Sequence, residues 1–275
     1  MLNTRKTESL FRRATLALGM TAVLAPATLL SATASAEPLI DSDTLKVGME
    51  ISYPPFESYE GDKVVGFDPE VSAMLASHMG VEAEFQDTKF TSLILGLGAQ
   101  KFDAVISGMY LTDERQKQAD GLAYARTGAY IMVNKGSDIQ PQTEHDLCGV
   151  VVGLQQGTAW VKQLGELSES YCKANGKDAI TIREFPSAPE VSQALMSRNV
   201  QAQLEIAGAA RMFVERTRGR IEISSPDLVY PQILGIYVKK GNTELMSALE
   251  KALAEATASG EYQALLDKYN LLAAE

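Results

Sequence analysis

The chain has 275 residues, 45% of them apolar and 7% aromatic, and a formal net charge of −10. Setting aside residues 1–36, which hold Arg5, Lys6, Arg12 and Arg13 against Glu8, leaves 21 Lys and Arg against 34 Asp and Glu, net −13. An acidic balance of that size excludes nucleic acid and anionic membranes as partners, because both require basic patches.

Residues 1–36 read as a cleaved secretory signal. The four cations form a basic n-region, Ala14 to Leu30 is an apolar h-region, and Ala34-Ser35-Ala36 supplies the small-x-small cleavage pattern. Gly19 and Pro26 interrupt the apolar stretch, which argues against a retained membrane helix. The Arg12-Arg13 pair hints at twin-arginine export but does not complete that motif. The expected mature chain begins at Glu37, lies in the periplasm, and carries no cysteine at its start to hold a lipid anchor.

From Glu37 onward, short apolar runs alternate with amphipathic ones. The run Leu45–Met49 predicts a strand, and Asp68–Met79, ending at Gly80, predicts a helix. Val81–Phe85 reads as strand, Ser92–Leu97 as helix, Ala104–Ser107 as strand and Thr112–Gln118 as a short helix. Strands follow at Tyr130–Val133 and Val150–Leu154, then a helix at Thr158–Cys172. Strands at Ile180–Phe185 and Ala202–Ile206 flank a helix at Pro189–Ser197. Ile233–Val238 is the last strand, and the helices Thr243–Ala258 and Glu261–Tyr269, separated by Gly260, end the chain. This alternation predicts α/β units around mostly parallel sheets. The rhythm starts twice, at "LKVGME" and at "GVVVGLQQGTAW", and two such domains facing each other would form a cleft at the carboxyl ends of their strands.

Cys148 and Cys172 are the only cysteines. In an oxidising compartment the default for a lone pair is a disulfide, with two buried thiols as the alternative. His78 and His145 do not sit at ligand spacing with them, so neither a metal nor any other cofactor is expected.

The stretches "VGMEISYPPFE", "VVGFDPEVSAMLASHMGV", "KFDAVISGMYLTDERQKQADG", "VGLQQGTAW" and the final "VKKGNTELMSALEKALAEATASGEYQALLDKYN" together resemble the polar amino-acid-binding proteins of bacterial ABC importers. The resemblance implies an α/β, two-lobe periplasmic binding protein fold with two crossover strands (type II) and a cleft between the lobes. It places lobe 1 at 37–127 and 235–275, lobe 2 at 131–230, and the hinge crossovers at 128–130 and 231–234. The implied partners are a small-molecule ligand with a carboxylate and the transmembrane subunits of an ABC permease, and the implied state is a monomer.

The same resemblance assigns the site. Arg115, an arginine in a helix's first turn where the dipole disfavours it, grips the ligand carboxylate through its two parallel donors. Ser107, Gly108 and Tyr110 line the wall beside it, and Gln155, Thr158 and Ala159 approach from the second lobe, with the Ala159 amide aimed at the same carboxylate. Thr158 alternatively serves only as an N-cap. Tyr53 and Phe90 sandwich the ligand side chain, Trp160 adds another aromatic wall, and Glu50 reads a side-chain cation.

Two positions depart from the family pattern. Tyr110 stands where Ser or Thr is usual, and Ile206 aligns with the aspartate that holds the ligand ammonium. Glu205 is adjacent, but neighbours on a strand point to opposite faces, so it substitutes only if the strand end twists or the alignment slips by one. The expected ligand is therefore an amino acid or a derivative with a substituted amine, such as an opine-like conjugate. The competing functions are a periplasmic enzyme resembling cyclohexadienyl dehydratases, with Glu205 or Glu50 as general acid, and a sensory ligand-presenting protein.

Overall fold

In the computed structural model the described residues are Leu39–Ala274; the expected signal segment lies outside them. In chain order the strands of the first half are β1 (Thr44–Met49), β2 (Ser58–Glu60), β3 (Lys63–Val65), β4 (Glu82–Asp87), β5 (Ala104–Val105) and β6 (Ala119–Asn134). Its helices are α1 (Phe67–Met79), α2 (Leu93–Gly98) and α3 (Asp113–Gln116). The strands β7 (Val151–Gln155), β8 (Thr181–Phe185), β9 (Ala202–Ile206), β10 (Ile221–Ile223) and β11 (Val229–Lys239) follow. Between and after them run α4 (Ala159–Leu167), α5 (Ala188–Met196), α6 (Ala207–Arg216), α7 (Thr243–Ser259) and α8 (Glu261–Tyr269).

Two parallel groups sit at either end of one curled sheet of order β4-β1-β5-β11-β6-β9-β7-β8, with β10 pairing β6 off that path. β1 runs parallel to β4 and β5, and β7 runs parallel to β8 and β9. The long antiparallel pair β6 and β11 joins the groups. Each group is a lobe: α1 and α2 pack on the first, α5 on the second. Burial follows the pattern expected of strands covered on both faces. Leu45, Val47 and Met49 of β1 are fully buried, as are Val152 and Leu154 of β7.

Several elements exceed what the periodicity predicts. β6 runs for 16 residues where only Tyr130–Val133 reads as strand, because Asp120-Gly121 and Arg126-Thr127-Gly128 interrupt any alternation. It is held by its partners, β11 on one flank and β9 and β10 at its far end. The polar hairpin β2–β3 and the helix α6, which starts directly after β9, are also additional. The predicted Thr158–Cys172 helix is α-helical only to Leu167 and continues as a π-turn over Ser168–Cys172. That turn brings Cys172 to Cys148, and the two form a disulfide with Cα atoms 5.5 Å apart. No helix among the described residues is long and apolar enough to cross a membrane, and no cluster of His, Cys, Asp or Glu there could hold a metal ion.

Candidate functional site

The loops that leave the carboxyl ends of β1 and β5 face those that leave β7 and β9 across a cavity of ≈ 20 Å³. Of the twelve residues assigned from the sequence, eleven line it: Glu50, Tyr53, Phe90, Gly108, Tyr110, Arg115, Gln155, Thr158, Ala159, Trp160 and Glu205. Ser107 lies one layer behind, donating its hydroxyl to Glu57 at 2.6 Å and accepting the Glu50 amide at 3.0 Å. Glu57 and Ile206 complete the lining. Glu57 is the last residue of the quoted "SYPPFE" run, where a buried carboxyl has no periodic signature.

Arg115 enters from α3, whose N-cap Thr112 accepts its backbone N–H at 3.3 Å. The guanidinium does not serve that helix. Nη1 donates to the Tyr110 carbonyl at 2.6 Å, Nη2 donates to the Gly157 carbonyl at 2.9 Å, and the plane lies over the Phe90 ring at 5.5 Å. Gly157 belongs to the opposite wall, so this cation joins the two. Its φ of +77° suits glycine, and a Cβ there would come within 3.2 Å of Thr91. A second cross-wall contact pairs the Gln155 amide with Glu50 Oε2, while Glu50 Oε1 accepts the Phe90 amide at 3.1 Å. Burial raises the Glu50 pKa, and these two donors partly offset the shift.

Thr158 does not cap α4. Its hydroxyl donates back to the Gln155 carbonyl at 2.8 Å, which leaves the first turn of a nine-residue helix without a side-chain cap. Such a terminus presents N–H donors and a positive dipole end to an anion.

The expectation that Glu205 turns away is not met. Ile206 is both the last residue of β9 and the N-cap of α6, with φ −55° and ψ 139°, so the chain turns there instead of continuing its alternation. Glu205 and Ile206 both line the cavity. Glu205 is 2% exposed, hydrogen-bonds the Tyr53 hydroxyl, and leaves Oε2 without a partner. Burial raises its pKa to about 8. A carboxyl so placed accepts a cation: an incoming ammonium compensates the ionised form that burial disfavours.

Behind this wall Glu57 and Asp68 are fully buried side by side. Asp68 accepts the Tyr124 hydroxyl at 2.7 Å and the Gly108 amide, and Gly108, at φ +50°, places its Cα face against the Tyr53 ring. Burial and the neighbouring Asp68 push the Glu57 carboxyl well above the usual carboxylate range.

Two α/β lobes closing a guanidinium, a helix N-terminus, three buried carboxyls and four aromatic rings around one cavity define a binding protein for a small polar solute. The profile of the bacterial extracellular solute-binding proteins, family 3, matches residues 45–271, and the chain belongs to that family. It is 32% identical over 229 residues to the L-cystine-binding protein TcyJ of Escherichia coli (strain K12), covering 82% of each chain. Among solved structures it resembles an ancestral arginine-binding protein bound to arginine, with 32% identity and a TM-score of 0.74 over 82% of this chain and 98% of that one. It also resembles the ancestral amino acid-binding protein AncCDT-1, a precursor of cyclohexadienyl dehydratase, with 29% identity and a TM-score of 0.69 over 83% of this chain and 96% of that one.

Proposed function

We propose that the protein captures an amino acid outside the cytoplasm and delivers it to an ABC importer, binding the ligand carboxylate with Arg115 and the ligand ammonium with Glu205. The observation that carries this reading is the meeting, in one cavity, of a guanidinium from the first lobe and a buried carboxyl with an unpartnered oxygen from the second. A guanidinium fits a carboxylate bidentately, and a zwitterion lets both buried charges be compensated at once. The relatives support it, since those described bind amino acids. Glu50 and Gln155 form the end of the pocket toward the ligand side chain. The protein works as a monomer in the periplasm, exported by the segment 1–36, with the transmembrane permease subunits as its partner.

The crossovers at 128–130 and 231–234 serve as the hinge. Support for this comes from the register shift between Val229 and Gln232 and from Tyr230, a non-glycine residue at φ +48°, which both fall at that point of the β6–β11 pair. A cavity of ≈ 20 Å³ has room for about one water, so the lobes must part to admit an amino acid.

Mass spectrometry of the small molecules that co-purify with protein isolated from a periplasm tests the reading. A free α-amino acid is the expected finding, and an acid without an amine would contradict it. A catalytic reading is favoured by one feature, the raised pKa of the cleft carboxyl Glu205, which suits a general acid, together with the likeness to AncCDT-1. Turnover of prephenate or arogenate by the purified protein would establish that reading over the first.

A further inference from the structure

Trp160 Nε1, the Tyr110 hydroxyl, Glu205 Oε2 and Glu57 Oε2, the last beside Asp68, are buried side-chain atoms without a hydrogen-bond partner, and all four residues line the cleft cavity. Glu205 and Tyr110 have a use in the function proposed above, since a carboxyl oxygen and a phenol both accept from an ammonium. The indole has none there. It is a donor only and cannot share in holding a cation through its nitrogen. A buried tryptophan N–H ordinarily finds an acceptor, and at 3% exposure this one is shut off from bulk water.

Its surroundings say what kind of acceptor it awaits. Trp160 stands in the first turn of α4, the turn that receives no side-chain cap, so the indole N–H joins a group of donors at the positive end of a helix. Its ring packs edge-on against Tyr110, with centroids 5.5 Å apart and planes at 86°, and the Tyr110 carbonyl accepts from Arg115 Nη1. Indole and guanidinium therefore flank one residue from opposite lobes. Two of the five guanidinium donors are already held by backbone carbonyls, which leaves Arg115 fewer with which to cover both oxygens of a carboxylate.

We infer that the indole N–H of Trp160 is a ligand-binding donor of this pocket, bonding the carboxylate oxygen of the bound amino acid that Arg115 leaves to the α4 side. The role is distinct from an aromatic wall, because a wall needs only the ring face. It rests on the amino-acid reading of the site and adds a residue to it.

Trp160 is the chain's single tryptophan, so a biosynthetic analogue replaces this position alone. The probes are the twenty protein amino acids with L-cystine and L-ornithine, titrated calorimetrically against the whole protein. The first variant is Trp160→Phe. The second is wild-type sequence grown with β-(3-benzothienyl)alanine, which keeps the bicyclic shape and exchanges the N–H for sulfur. Any probe that binds the wild type should lose roughly ten- to a hundredfold in affinity in both, as expected for a hydrogen bond to a charged group. The melting temperature of the ligand-free analogue protein should be unchanged. In the ¹⁵N-labelled wild type the single indole N–H resonance should move downfield when that probe is added. Unchanged affinity in the analogue protein, whatever Trp160→Phe does, or an unmoved resonance, overturns the inference while leaving the amino-acid function standing. Failure of every probe on the wild type overturns that function and the inference with it.

Discussion

Arg115 stands in the first turn of a four-residue helix beside Asp113 and Glu114, where its own helix dipole disfavours a cation. Its hydrogen bonds to Tyr110 and Gly157 and its position over Phe90 show where its charge is used. Arg115→Ala is expected to leave the fold intact and abolish binding, at a cost of roughly 2–5 kcal/mol of affinity measured by calorimetry. Arg115→Lys should fail substantially too, because a point charge cannot reproduce the planar fork. Glu205 makes a prediction of the opposite kind. Its folded pKa, about 8, lies above the ordinary glutamate value of about 4.5, so the stability it contributes is complete below pH 4.5 and is lost as pH rises through about 8. Glu205→Gln should therefore raise the melting temperature more at pH 9 than at pH 5. Binding of an ammonium favours the ionised carboxyl and releases its proton, so affinity should rise with pH up to about 8, by at most tenfold per pH unit. A dissociation constant independent of pH between 6 and 8 would exclude Glu205 as the ammonium's partner.

The elements divide by how locally they are determined. Helices α1, α7 and α8 and strands β1, β7 and β9 were readable to within about two residues, because their own periodicity and terminal glycines mark them. β6 was not, since its first eleven residues are strand by virtue of β11, a partner a hundred residues away. The site shows the same division. Arg115, Gly108 and Ala159 were legible because they belong to motifs at strand-to-helix corners. The orientation of Glu205 was not, because it depends on a helix, α6, that starts immediately at the end of β9 and that no local signal announced. The Cys148–Cys172 disulfide was legible from compartment and count alone, but its anchoring at a π-turn was not. It closes a loop of sequence separation 24 in the second lobe, and closure of such a loop stabilises by about 2–4 kcal/mol. Replacing both cysteines by serine should lower the melting temperature by roughly 5–15 °C and leave ligand affinity within a factor of a few.

Two lobes joined by one antiparallel strand pair have little besides the cleft contacts to hold them closed. Arg115 to Gly157, Gln155 to Glu50 and the Tyr53 hydroxyl to Glu205 are the hydrogen bonds described across it, and each uses a group that lines the ligand cavity. Gln155→Ala should therefore shift the ligand-free molecule toward an open form, seen as a larger radius of gyration in solution scattering, and the same variant should close again when ligand is added. This cleft is proposed to read both ends of a zwitterion. The most direct test is a thermal-melt screen in which each L-α-amino acid is paired with its α-amide and its N-acetyl derivative. A ligand at a hundredfold excess over its dissociation constant should raise the melting temperature by about 5–10 °C. Such a rise is expected for one or more free amino acids, with both derivatives of each silent. N-acetyl derivatives that stabilise the protein as well as their parents would contradict it, because Glu205 would then have no ammonium to hold.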